Sequence, residues 1–126
     1  MGAAGLAILA AIEQPERDGV LSDVLGPIED DWGISRQTLD KLIAQTRRQG
    51  FSRIEDQITA GVAEVGRPIL DLFGQPVGSV GVAAPVVRMP AARVRDVADA
   101  VGRAVGHIQN RLFAHGSRVG PRRGSS

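Results

Sequence analysis

One apolar stripe near the C-terminus constrains this chain most. Val94, Val97, Val101, Ala104, Val105, Ile108 and Leu112 recur mostly at steps of three and four within residues 91–114. Such spacing is the mark of a helix with one buried side, and a one-sided helix has to be covered by a second layer. A candidate layer lies just upstream. In residues 77–84, Val80 and Val82 alternate with Ser79, Gly81 and Ala83, which is the period of two expected of a strand. Pro85 and Pro90 separate the two segments. The helix is therefore expected to cover the valine side of the strand, with the small residues facing away from it.

Other segments can be read the same way. Residues 3–14 read as a helix with Leu6, Leu9 and Ile12 on one face. Pro15 ends it and can open a second, short helix carrying Val20, Leu21, Val24 and Leu25. Gly26-Pro27 is expected to stop that helix, leaving Glu29–Gly33 as a polar loop anchored by Trp32. Ser35 is a good N-cap for a third helix with Leu39, Leu42 and Ile43 on its apolar face. This helix stops at Gly50, just after Arg47 and Arg48. Beyond Gly50 the period changes. Residues 51–55 and 62–71 read as strands, and Pro68 implies a bulge or an edge. The run "LFGQP" has turn chemistry. Residues 116–126 are almost devoid of apolar side chains and are expected to be disordered. The expectation is an α+β domain over 1–115, an antiparallel sheet packed against helices with a long C-terminal helix, followed by a basic tail over 116–126. No repeat occurs. The strands are few, so either the sheet is small or its remaining strands come from elsewhere.

Composition removes several function classes. At 126 residues the chain is one domain by size. It has no cysteine, which excludes disulfides, thiolate metal sites and cysteine nucleophiles. Two histidines, His107 and His115, are too few for a histidine-rich metal site, and no cofactor or metal is expected. The net charge of +1 depends on Arg118, Arg122 and Arg123. Without these three of the 15 basic residues, 12 face 14 acidic ones, a net −2. The body is not a basic nucleic-acid surface. The apolar run "GLAILAAI" has eight residues and no basic region before it. It is too short to span a membrane and lacks the layout of a signal peptide. It reads as a core helix of a cytoplasmic protein. Fourteen arginines beside the single Lys41 suggest a GC-rich bacterial genome.

Few residues could carry catalysis. The candidates are His107, Glu64 and the run Glu29-Asp30-Asp31. His107 is expected to pack or cap on the last helix. The acidic run lacks a histidine at metal spacing and reads as a solvated loop. Arg111, Arg118, Arg122 and Arg123 could contact phosphates without sequence preference, but the tail has no aromatic residue for base stacking. A protein that is not an enzyme is expected.

The order of segments resembles the C-terminal, GAF-like effector-binding domain of IclR-family transcriptional regulators. The likeness spans about residues 3–114. It rests on a small-residue helix "AAGLAILAAI", an acidic short helix, and a third helix ending in Arg47, Gly50 and Phe51. It continues with Gly61-Val62, a strand reaching Pro68-Ile69, and a hairpin returning to Ala84-Pro85 with Arg88 after it. The resemblance implies a small-molecule effector, self-association as a dimer or tetramer, and DNA contact through a helix-turn-helix domain that this chain lacks. It also implies that several sheet strands are missing. A pure dimerisation module is the rival reading, because open sheet edges invite pairing.

In the family the small-residue strand is a wall of the ligand pocket. The family's polar contact positions fall, without gaps, on Ile54, Glu64, Gly81 and Ala83. None keeps the acidic, cysteine or serine type expected there, although Glu55 and Asp56 lie nearby. A glyoxylate- or pyruvate-like ligand is therefore not carried over. The expected pocket is roomier and more apolar, lined by Ile54, Ser79, Gly81 and Ala83, with Glu64 as its one anion. Glu64 meets a ligand, pairs with Arg53 or Arg67, or faces water. The plainer alternative is that the glycines simply allow close helix–sheet packing.

Overall fold

In the computed structural model, residues 2–55 and 60–114 are described. The elements run α1 (Ala3–Ala11), α2 (Glu16–Trp32), α3 (Arg36–Gln49), β1 (Ser52–Glu55), β2 (Val62–Leu70), β3 (Pro76–Pro85) and α4 (Ala91–Gln109). A 3-10 turn, Val86–Arg88, joins β3 to α4, and α4 continues into a π-helical turn, Asn110–Ala114. This is the expected α+β architecture. The tail, His115 and Asp56 lie outside the described residues. No helix among the described residues is long and apolar enough to cross a membrane.

The sheet has the order β1-β2-β3 and is antiparallel throughout. Central β2 holds Ala63 and Val65, both fully buried. Burying a valine side chain contributes roughly 1.5–3 kcal/mol. Pro68 sits in β2 beyond the last pair with β1, Ser52↔Gly66, so it is paired only with Ser79 of β3. A register irregularity follows between Ile69 and Leu70. That is how the central strand accommodates a residue without an amide proton. In the hairpin, the Asp71 side chain accepts from the amides of Phe73 and Gln75 at 2.8 and 2.9 Å. Gly74 takes a positive φ of 80° there, a backbone region open to glycine.

Helices cover both faces. Helix α4 packs on one, where Val94 and Ala98 join Phe51, Ala63, Val65 and Met89 in a core cluster. Arg67 ties this layer together. Its Nε donates to the Ala98 carbonyl at 2.8 Å, its Nη1 to the Gly50 carbonyl at 3.0 Å, and its guanidinium lies 5.6 Å from the Phe51 ring centre. Helix α1 packs on the opposite face beside α3. It is buried at Ala3, Leu6, Ala7, Leu9 and Ala10, as expected of a helix that is apolar on nearly every side.

Four local expectations are corrected. Helix α2 does not stop at Gly26-Pro27. It runs through both to Trp32 and ends at Gly33, where φ is 67° and the amide donates to the Glu29 carbonyl. Ile28 is buried in the core, with Val20, Val24 and Leu25 packed beside it, and this burial outweighs the local stop signal. Glu29, Asp30, Asp31 and Trp32 are thus the last helical turn rather than a loop. Trp32 is 40% exposed at the end of α2, in the wall of a cleft rather than in the core. Third, the α4 stripe runs through Val94, Ala98, Val101 and Val105, while Ala104 and Leu112 are exposed. Helix α4 lies over β2, so Val65 is the sealed valine and Val82 stays 39% exposed. Fourth, His107 neither packs nor caps with its side chain; it is exposed on the last turn of α4. Helix α3 agrees at both ends. The Ser35 hydroxyl accepts from the Thr38 amide at 3.2 Å, and Gly50 closes the helix with φ at 87°.

Candidate effector-binding face

Residues paired directly across an antiparallel ladder share a face. The register therefore groups Ser52, Gly66 and Gly81 in one row and Ile54, Glu64 and Ala83 in the next, with Ser79 opposite Pro68. All five residues singled out from the sequence lie on this one face, the side away from α4. They are not equally accessible. Ile54 is 1% exposed and belongs to the core under α1 and α3. It backs the face from inside. Ser79 is half-buried, and Gly81 and Ala83 are exposed on the outer strand.

The first turn of α1 lies across the same rows. A Cβ placed on Gly66 would come within 2.7 Å of the Ala3 carbonyl oxygen. One on Gly81 would sit 3.4 Å from the Ala4 Cβ. Glycine in β2 is therefore what lets the helix end approach the sheet. The Ser52 hydroxyl, fully buried, lies within hydrogen-bond reach of the carbonyls of Ala3 and Gly66. Ser52, Gly66, Gly2 and Ala3 were not singled out from the sequence. Only the small size of Gly66 and Ser52 in adjacent strands hints at a close approach.

Glu64 has an unexpected partner. Its Oε1 accepts from the Ala3 amide at 3.1 Å. The contact satisfies one of the free amides at the start of α1 and sets a carboxylate at the positive end of the helix dipole. Neither arginine is involved. Arg53 pairs with Glu55 at 2.9 Å, and the ion pair of Arg67 is with Asp99, at 3.9 Å. Both arginines belong to the α4 side of the sheet. Three clefts of more than 300 Å³ lie elsewhere, and the widest, about 460 Å³, is lined by Arg17, Leu21, Arg36, Asp40, Ile43 and Arg47. One of about 370 Å³ runs between α1 and α2, lined by Ile8, Ile12, Val24, Pro27 and Trp32. Another of about 320 Å³ lies between α1, α3 and the hairpin, beside Arg47 and Gly74. Among the described residues no group of three or more His, Asp or Glu side chains is placed to hold a metal.

The family described as bacterial transcriptional regulator IclR C-terminal matches residues 1–110. This chain belongs to that family. Its members are transcriptional regulators rather than enzymes, and the matched domain is the effector-binding and oligomerisation domain of such regulators. The fold is similar to that of the repressor BlcR of Agobacterium tumefaciens, with a TM-score of 0.75 at 18% identity over 87% of this chain and 45% of that one. It is also similar to the C-terminal domain of Escherichia coli KdgR, with a TM-score of 0.73 at 20% identity over 88% of this chain and 68% of that one. The Thermotoga maritima IclR matches with a TM-score of 0.72 at 22% identity over 88% of this chain and 45% of that one. The IclR-type chain thus spans less than half of BlcR and of the Thermotoga protein. The comparison with curated proteins found no match.

Proposed function

We propose that this IclR-type domain senses a small organic metabolite in the bacterial cytoplasm and passes its occupancy to a DNA-binding helix-turn-helix domain through self-association. The ligand sits on the face that carries Ser79, Gly81, Ala83 and Glu64, with Ile54 behind it. The observation that carries this reading is the register: the residues at the family's contact positions converge in neighbouring rows beside the α1 N-terminus. The exposed small residues of β3 leave the outer part of the face open to a small molecule, with the Glu64 carboxylate as a polar group beside it.

A thermal-shift screen of small neutral, cationic and acidic metabolites tests the proposal. A ligand at 100 times its Kd adds about 2.7 kcal/mol of stability. Ala83→Leu should abolish the shift while leaving the unliganded protein folded, because Ala83 is exposed. Gly81→Leu would be less informative, since its side chain also meets α1. A hit whose shift survives Ala83→Leu would place the ligand elsewhere.

The dimerisation reading without a ligand has its own support. Strand β3 lies at an edge of the described sheet, and Phe73 at the hairpin tip is 87% exposed. Light scattering showing association alongside a screen without hits would favour it.

A further inference from the structure

Glu64 holds a position that decides what this face can accept. A helix N-terminus attracts anions through its free amides and the positive end of its dipole. Here the first helical amide is already engaged. The Oε1 of Glu64 lies 3.1 Å from the Ala3 amide nitrogen. Gly2 makes the approach possible: a Cβ on Gly2 would fall 2.6 Å from the same oxygen. The neighbours of Glu64 across both ladders, Ile54 and Ala83, carry no charge. An acidic ligand arriving at this row meets a carboxylate at short range and finds the Ala3 amide already engaged.

We infer that Glu64 is a specificity-determining residue, a built-in carboxylate that occupies the α1 N-terminus and excludes acidic ligands from this face. The inference rests on the reading of this face as the effector surface and selects neutral or cationic molecules as its ligands. Removing the carboxylate frees the Ala3 amide to donate to a small carboxylate from solution.

Acetate is the probe. Backbone amide resonances are followed by NMR as sodium acetate replaces sodium chloride at constant ionic strength, in the wild type and in Glu64→Ala. The amides of Ala3 and Ala4 should stay unmoved in the wild type and shift saturably in Glu64→Ala. Acetate should bind the variant at least about tenfold more tightly, a change equivalent to ~1.4 kcal/mol and within the range of a partly buried charge at a helix end. If Glu64→Ala does not fold, Glu64→Ser is titrated in the same way. Unmoved amides in the folded variant would overturn the inference. So would saturable acetate binding at Ala3 in the wild type, a titration that needs no variant. That second result would leave the effector-face reading standing, whereas a wild type that binds no metabolite of any charge would remove the effector-face reading itself.

Discussion

Gly66→Ala tests the packing of α1 on the sheet. The added methyl carbon would lie 2.7 Å from the Ala3 carbonyl oxygen, 2.8 Å from its carbon and 2.9 Å from the Ser52 hydroxyl oxygen. Two of these three atoms are backbone, so no side-chain rotation relieves the clash. The start of α1 has to lift, which strains the contacts of Ser52 and Glu64 with Ala3. Overpacking of this kind costs about 1–3 kcal/mol. Gly81→Ala is the internal control. Its methyl would meet the Ala4 Cβ at 3.4 Å, close to ordinary van der Waals contact, and replacing glycine restricts the unfolded chain, which stabilises by up to about 1 kcal/mol. Gly81→Ala should therefore stay within about 0.5 kcal/mol of the wild type or gain slightly. Urea unfolding of the three proteins, analysed at a common slope, measures the differences. If Gly66→Ala costs no more than Gly81→Ala, α1 is not held against β2 as described.

Further substitutions test individual supports. Pro27→Ala should stabilise the protein by up to about 3 kcal/mol, because proline inside a helix forfeits a hydrogen bond and crowds the preceding turn; a lower Tm would mean that Pro27 makes packing contacts worth more than that. Ser35→Ala should cost about 1 kcal/mol through loss of the α3 cap, read as a lower urea midpoint. Arg67→Lys should cost about 1–2 kcal/mol despite keeping the charge, since lysine cannot serve the Ala98 and Gly50 carbonyls and stack on Phe51 at once; an unchanged midpoint would assign the role to charge alone.

Where the sequence was legible, local chemistry and tertiary packing agreed. Helix α3 is bounded by Ser35 and Gly50, and both act as their residue types dictate. Alternation in β3 placed Ser79, Gly81 and Ala83 on one side, and the register bears that out. Helix α2 was misread because Gly26-Pro27 is a strong local stop, while the burial of Ile28 that overrides it depends on α1, distant in sequence. The α4 stripe was drawn through Ala104 and missed Ala98, because an alanine signals nothing until the helix has a partner to face. Glu64 was out of reach for the same reason: its partner Ala3 is 61 residues away in the chain. The order of weak features was enough to indicate the family, whereas the engaged helix end was not visible without the fold.

The central claim, that this face receives the effector, is tested most directly by amide chemical-shift mapping with the strongest metabolite from the thermal screen. The account predicts that the perturbed amides cluster at Glu64, Ser79, Gly81, Ala83 and the first turn of α1. Perturbations confined to the α1–α2 cleft around Ile8, Val24 and Trp32, or none from any compound tested, would contradict it.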